Sequence, residues 1–430
     1  MFKKPLLKPV AVPKSEGSKA GSSIKKPLST RGLLALVGAA ILLSLGAGYF
    51  FGRNSLQDGG DAENASDKVR LKPGPWGELE YVPITIAAPD EMLKVRGVEE
   101  TKVQWFFKGM TRADLDQVLD LAGESGSSRA TFFASGPLSQ YAEGTVLSPA
   151  CDAIRSLSER ARIALFQKLA VGKQNAGSRW EFQSRFIDTF GDFGVGRSAA
   201  KTVEAYGVRD GKFFLTYCMP CVLRDIPDPK EKTGVLKTLT QQRSMLVRLR
   251  VTAKSDVNAL VDYWGRAMWT NNVRAILRSL QKRPYGGALD LAELLPPLPT
   301  SLLHSYPVPQ NSLAGPEVVK NCSWTAFNFF RDPPDPGYSD AHYVLGKLQT
   351  DFYPIQGDPR FGDVAVFLTS DQIMVHVATY LADDIFFTKN GDNPWHPWVY
   401  STEADLREEF SFGLPAGQQL TIQYFRNKYY

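Results

Sequence analysis

Two β-branched and aromatic runs, Val364 to Leu368 and Ile373 to Leu381, flank the polar tetrapeptide Thr369-Ser370-Asp371-Gln372. Such a pattern predicts two antiparallel strands joined by a turn. Strand side chains alternate between faces, so Met374, His376, Ala378 and Tyr380 are expected on one face and Val375, Val377 and Thr379 on the other. The chain turns again at Ala382-Asp383-Asp384 and returns from Ile385 to Gly391. With those three residues as the loop, Leu381 pairs with Ile385 and Asn390 comes level with His376. A change of one residue in the loop would turn the partner to the other face. Thr388, two residues back on the same face as Asn390, is the next candidate neighbour.

Ahead of these runs, Pro307 to Ser312 is loop-like, whereas Cys322 to Phe330 carries apolar residues at helical spacing and stops at Pro333-Pro334. Cys322 is therefore expected in the first turn of a helix, where the positive end of the dipole favours a thiolate. A cysteine nucleophile also needs a base, and the base needs an orienting group on its second ring nitrogen. The candidates in those three roles are Cys322, His376 and Asn390. His376 among apolar neighbours is also compatible with a plain core histidine.

Cysteine at a helix start, a Gly-Asp-Val-x-Val-Phe strand at Gly362 to Phe367, and His-Val-x-x-Tyr-Leu at His376 to Leu381 resemble the NlpC/P60 superfamily of papain-like cysteine peptidases and amidases. The resemblance covers roughly the last quarter of the chain. It implies an α+β papain-like C-terminal domain with a nucleophile helix packed on an antiparallel sheet that Gln419 to Phe425 helps complete. It also implies cleavage of amide bonds in bacterial cell-wall peptides. Family members usually carry Asp-Cys-Ser at the nucleophile, where this chain has Asn321-Cys322-Ser323. Their third polar residue commonly lies about a dozen positions after the base, where this chain has Thr388.

At the other end, residues 1–31 form a basic tail with Lys3, Lys4, Lys8, Lys14, Lys19, Lys25, Lys26 and Arg31 against Glu16. Prolines, serines and the lack of an apolar period predict disorder there. Gly32 to Gly52 is an unbroken apolar run between Arg31 and Arg53, about the length that spans a bilayer as a helix. The basic flank predicts a cytoplasmic N-terminus and a single-pass inner-membrane protein with its remaining domains extracytoplasmic. Cleavage as a signal peptide is the alternative. Residues 53–75 form a polar linker.

The formal net charge of +5 is concentrated in that tail, and the last 120 or so residues are net acidic. This asymmetry argues against a nucleic-acid partner. A 43% hydrophobic, 22% charged composition supplies a sizeable core. Residues 76–305 are expected to form a mainly helical domain of unassigned role, and residues 306–430 the peptidase-like domain. Thr111-Arg112-Ala113-Asp114 and Ser156-Leu157-Ser158-Glu159 open helices as capping boxes or close to them, Lys212 to Tyr217 and Met245 to Val251 are expected strands, and Leu289 to Leu295 a short helix.

Cys218-Met219-Pro220-Cys221 has the spacing of a redox dithiol or half a zinc site. No helix is expected after it, and Cys151 and His304 complete no recognisable metal spacing, so the pair is assigned to core thiols or a local disulfide. Asp363, Asp383, Asp384 and Asp392 make no calcium loop, and no phosphate-binding glycine motif appears. No metal or cofactor is expected. His342 and His396 are alternative bases, but their flanks are a helix start and a rigid loop. The expectation is thus a membrane-anchored cysteine hydrolase acting on peptidoglycan peptides. The alternatives are an inactive peptidase-like binding module, with the upstream domain as the working part, and a cysteine acyl or amide transferase.

Overall fold

The computed structural model describes residues 68–95, 102–210, 213–266, 270–307, 318–392, 395–411 and 418–430. The basic tail, the apolar run 32–52 and most of the linker lie outside the described residues. No helix among the described residues is long and apolar enough to cross a membrane, so the expected transmembrane architecture is not supported by the described structure.

The mainly helical reading of residues 76–305 is also corrected, because this region contains three antiparallel sheets. The largest orders its strands Val69–Arg70, Glu78–Ile86, Gln242–Val251 and Gly287–Asp290. Glu78–Ile86 and Gln242–Val251 pair along their whole overlap, and Leu79, Val247, Leu249 and Val251 project into a core beneath the helices Val257–Trp264 and Thr270–Gln281. Two three-stranded sheets lie between these long strands in sequence: Trp105–Lys108, Gly144–Leu147, Leu138–Tyr141, and Trp180–Gln183, Phe213–Thr216, Val208–Asp210. Each strand is only three or four residues long, too short for its alternation to stand out against neighbouring helices. The expected helix over Leu289 to Leu295 divides into the end of the Gly287–Asp290 strand and a 3-10 turn, Leu291–Leu294, that Asp290 caps.

Local chemistry fixes the helix starts. Thr111 Oγ1 accepts from Asp114 N at 3.2 Å while Asp114 Oδ2 accepts from Thr111 N at 2.7 Å, a reciprocal capping box. Ser158 Oγ accepts from Ala161 N at 3.2 Å. After the two-residue cysteine spacing, Met219–Asp225 is helical with Pro220 in its first turn, contrary to the expected irregular segment. Proline fits there because its missing N–H would be unpaired anyway.

The C-terminal sheet is six-stranded and antiparallel, in the order Phe352–Pro354, Thr421–Asn427, Val364–Leu368, Met374–Ala382, Ile385–Lys389, Trp398–Thr402. One face shares a core with the four-stranded sheet upstream. The opposite face packs on the helix Glu403–Phe410 through Leu406 and Phe410. Two links tie this sheet further to the upstream residues: Tyr400 N donates to Ser244 Oγ of the four-stranded sheet at 3.2 Å, and His304 N, in the connecting segment, to Trp398 O at 2.8 Å.

Candidate active site

Cys322 opens the helix Cys322–Phe327, capped by Asn321, whose Oδ1 accepts from Trp324 N at 2.8 Å. Trp324, Ala326 and Phe327 pack in one core with Val364, Val366, Val377 and Phe387. The helix thus covers the Val377 face of the central hairpin. Cys322 is half-buried. Burial pushes its thiol pKa up, opposed by the Val377 amide, the Ser323 hydroxyl and amide, and the Lys389 ammonium, all of which favour negative sulfur.

His376 is 1% exposed and lies on the other face. It is the cross-strand partner of Phe367, its ring centroid is 5.7 Å from that of Phe367, and it stacks on Phe410 at 4.0 Å and 12°. Burial pushes its pKa down to about 3, so the ring is neutral at pH 7. Nε2 lies 2.8 Å from Thr388 Oγ1, and Nδ1 is buried without a hydrogen-bond partner among the described residues. Cys322 and His376 therefore approach one strand from opposite sides. They meet at the His376-Val377 peptide, whose N–H addresses the sulfur, and no hydrogen bond joins thiol to imidazole.

Two expected relationships on this hairpin are corrected. Phe367 pairs with His376, but Leu368 pairs with Met374, leaving Val375 as a bulged extra residue. Because a bulge resets the alternation, Met374 packs with the Cys322-side core and Val375 with the opposite one. At the turn Ala382 pairs with Ile385, so the loop is only Asp383-Asp384, and the shift falls at Leu381. The shorter loop and the bulge cancel, and Thr379 still pairs with Phe387, the register expected from a three-residue loop.

Asn390 is level with His376 in that register, yet the residue on the imidazole is Thr388. The described ladder ends at Thr379 and Phe387, so register no longer dictates contact beyond it. The Asn390 side-chain amide nitrogen instead donates to Glu409 Oε2, and the Asn390 backbone carbonyl accepts from His396 Nδ1 at 2.9 Å. Burial raises the Glu409 carboxyl pKa to about 7. Burial, and then Lys389, lower that of His396 to about 4. Sequence reasoning missed Glu409, Phe410 and Lys389. Only the apolar Leu406 and Phe410 four apart signalled that the last helix has a buried face.

No family model, curated protein or solved structure matches this chain. Its site is therefore interpreted from its own geometry.

The remaining candidates separate. Cys221 forms a disulfide with Cys151, Cα atoms 5.3 Å apart, which corrects any local pairing with Cys218. Cys218 is a buried thiol that burial pushes up to about 12. His304 Nε2 lies 2.9 Å from Ser244 Oγ, and His342 is exposed. Asp363 is held by Arg266 and Arg426. Among the described residues no group of three or more His, Cys, Asp or Glu side chains is arranged to hold a metal ion.

Proposed function

We propose that the C-terminal sheet carries a papain-like cysteine hydrolase site of the NlpC/P60 kind, with Cys322 as nucleophile, His376 as base and Thr388 as its orienting group. The observation that carries this reading is Cys322 in the first turn of a capped helix, with the Val377 and Ser323 amides addressing its sulfur. Thr388 engages His376 Nε2 and leaves Nδ1 without a partner, but the imidazole lies on the sheet face away from Cys322. The proposed pair therefore requires a rearrangement of the Met374–Ala382 strand that brings His376 to the Cys322 face.

Both burial effects favour the uncharged forms, so at rest the proton belongs on sulfur. In the proposed reaction it passes to His376, once that rearrangement has brought the imidazole to the sulfur, as sulfur bonds to the amide carbonyl. The imidazolium then returns it to the departing amine as the C–N bond breaks, and water hydrolyses the thioester. The Cys322 backbone N–H, at the helix start, is the assigned donor to the developing oxyanion. The proposed substrates are peptidoglycan peptides, in keeping with an extracytoplasmic setting in which the Cys151–Cys221 disulfide persists.

A second reading, a peptidase-like binding module, is favoured by two observations: His376 lies on the sheet face away from Cys322, and the Phe410 ring covers the imidazole face. Incubation of the full chain with purified muropeptides, followed by mass spectrometry of new amino termini, separates the two. Release by the native chain, lost in Cys322→Ala and in His376→Ala, is the hydrolase outcome. Absence of release while Cys322 still accepts iodoacetamide overturns it in favour of the module.

A further inference from the structure

A cleft of about 1110 Å³ opens where the four-stranded sheet and its first helix meet the C-terminal sheet, beside the Asp383-Asp384 turn. It exceeds the roughly 300–1,000 Å³ that houses a drug-sized ligand, and it lies at a junction between packed units, a favoured place for binding sites. Its chemistry has two parts. Aromatic rings line it from both sides: Trp76 and Tyr263, edge-on to each other at 5.9 Å, and Tyr380 and Tyr424, edge-on at 5.8 Å. Tyr353, 42% exposed, also lines it.

The polar part is nearly balanced in charge. Arg266 and Arg426 are committed to buried Asp363, and Arg360 donates its backbone N–H to the same carboxylate at 2.7 Å. That leaves the exposed Arg360 guanidinium with Asp262, Asp358 and Asp383 lining the open space. A lining of this kind offers no net field to attract an anionic polymer. It does offer flat apolar rings beside paired donors and acceptors, which suits a ligand with apolar ring faces and a rim of hydroxyl groups.

We infer that this cleft is a carbohydrate-binding site for a neutral oligosaccharide, with the sugar rings on Tyr353 and Trp76 and their hydroxyl groups on Asp358, Asp262 and Arg360. The inference does not rest on catalysis at Cys322. Pro354 and Pro359 bracket the rim segment that presents Asp358, and Ile355 N, bonded to Tyr424 O at 3.0 Å, ties that segment to the sheet. The rim is therefore set before ligand arrives, which lowers the ordering cost of binding.

The test uses the full chain carrying Cys322→Ala, titrated with the β-1,4-linked hexamer of N-acetylglucosamine by calorimetry. Saturable binding is expected, falling about tenfold in Tyr353→Ala/Asp358→Asn through loss of one stacking platform and one charge-assisted hydrogen bond. Both positions are exposed, and an unchanged melting temperature verifies that the double variant is folded. No saturable binding at millimolar sugar, or equal binding by the folded double variant, overturns the site. Because catalysis is absent from this experiment, its outcome is separate from that of the muropeptide assay.

Discussion

His376 Nε2 and Thr388 Oγ1 lie 2.8 Å apart on the face of the C-terminal sheet away from the Cys322 helix. Each belongs to a different strand of one hairpin, so the contact ties the base to the neighbouring strand. Thr388→Val keeps the shape and removes the oxygen, leaving a buried ring nitrogen without a partner. A loss of about 1–3 kcal/mol in urea unfolding is expected, with muropeptide cleavage falling in parallel. Thr388→Ser should restore most of both. Asn390→Ala, by contrast, should leave the cleavage pH profile in place.

Buried neutral histidine makes stability depend on pH with a definite sign. The unfolded imidazole titrates near 6.5 and the folded one near 3, so between these values the unfolded chain binds the extra proton. Stability from this group is complete above about pH 6.5 and is lost as pH falls towards 3, at up to about 1.4 kcal/mol per unit. Unfolding curves from pH 7 to 4 should show this slope, and His376→Phe should flatten it. His396, lowered to about 4, supplies a second contribution of the same sign that remains in that variant.

Glu409 has the opposite sign. Its folded carboxyl titrates near 7 against an ordinary 4.5, so the folded state holds the proton longer, and its contribution is lost as pH rises from about 4.5 to 7. Glu409→Gln should remove that loss. The variant is expected to gain stability relative to native protein at pH 8 and much less at pH 4.

The stacked Phe410 ring keeps water from His376. In Phe410→Ala the imidazole should hydrate and its NMR titration move up towards 6.5. A cost of about 3–5 kcal/mol is expected for the emptied volume. An unmoved titration midpoint would show that other packing excludes the water.

Four cysteines divide into three chemical states. Under native, non-reducing conditions iodoacetamide should label Cys322 alone, because Cys218 is buried with its thiol pushed up to about 12 and Cys151 and Cys221 are bonded. Unfolding without reductant should add Cys218. Cys151→Ser should destabilise the upstream unit by about 2–5 kcal/mol, measured by thermal melting.

Much of this architecture is legible in local residue patterns, because local rules set it. Thr111 with Asp114 and Asn321 with Trp324 fix helix starts through hydrogen bonds three residues long. The alternation from Val377 to Tyr380 predicts a strand, and Cys322 at a helix start follows from the loop before it. The two-residue hairpin shows how far this goes: its shortened loop and its bulge are invisible locally, yet they cancel and leave the register unchanged.

The face of each group was decided only in three dimensions. Alternation places His376 opposite Val377, but it cannot say which face a helix fifty residues upstream will cover. That choice was made by apolar surface. Trp324, Ala326 and Phe327 had to be buried against Val364, Val366 and Phe387, while Leu406 and Phe410 claimed the side bearing His376. The same holds for Cys151 and Cys221, seventy residues apart, and for Asn390, which turned to Glu409 once the last helix packed beside it. Spacing along a chain governs neighbours within a turn or a hairpin, whereas contacts between distant segments depend on which surfaces exclude water together.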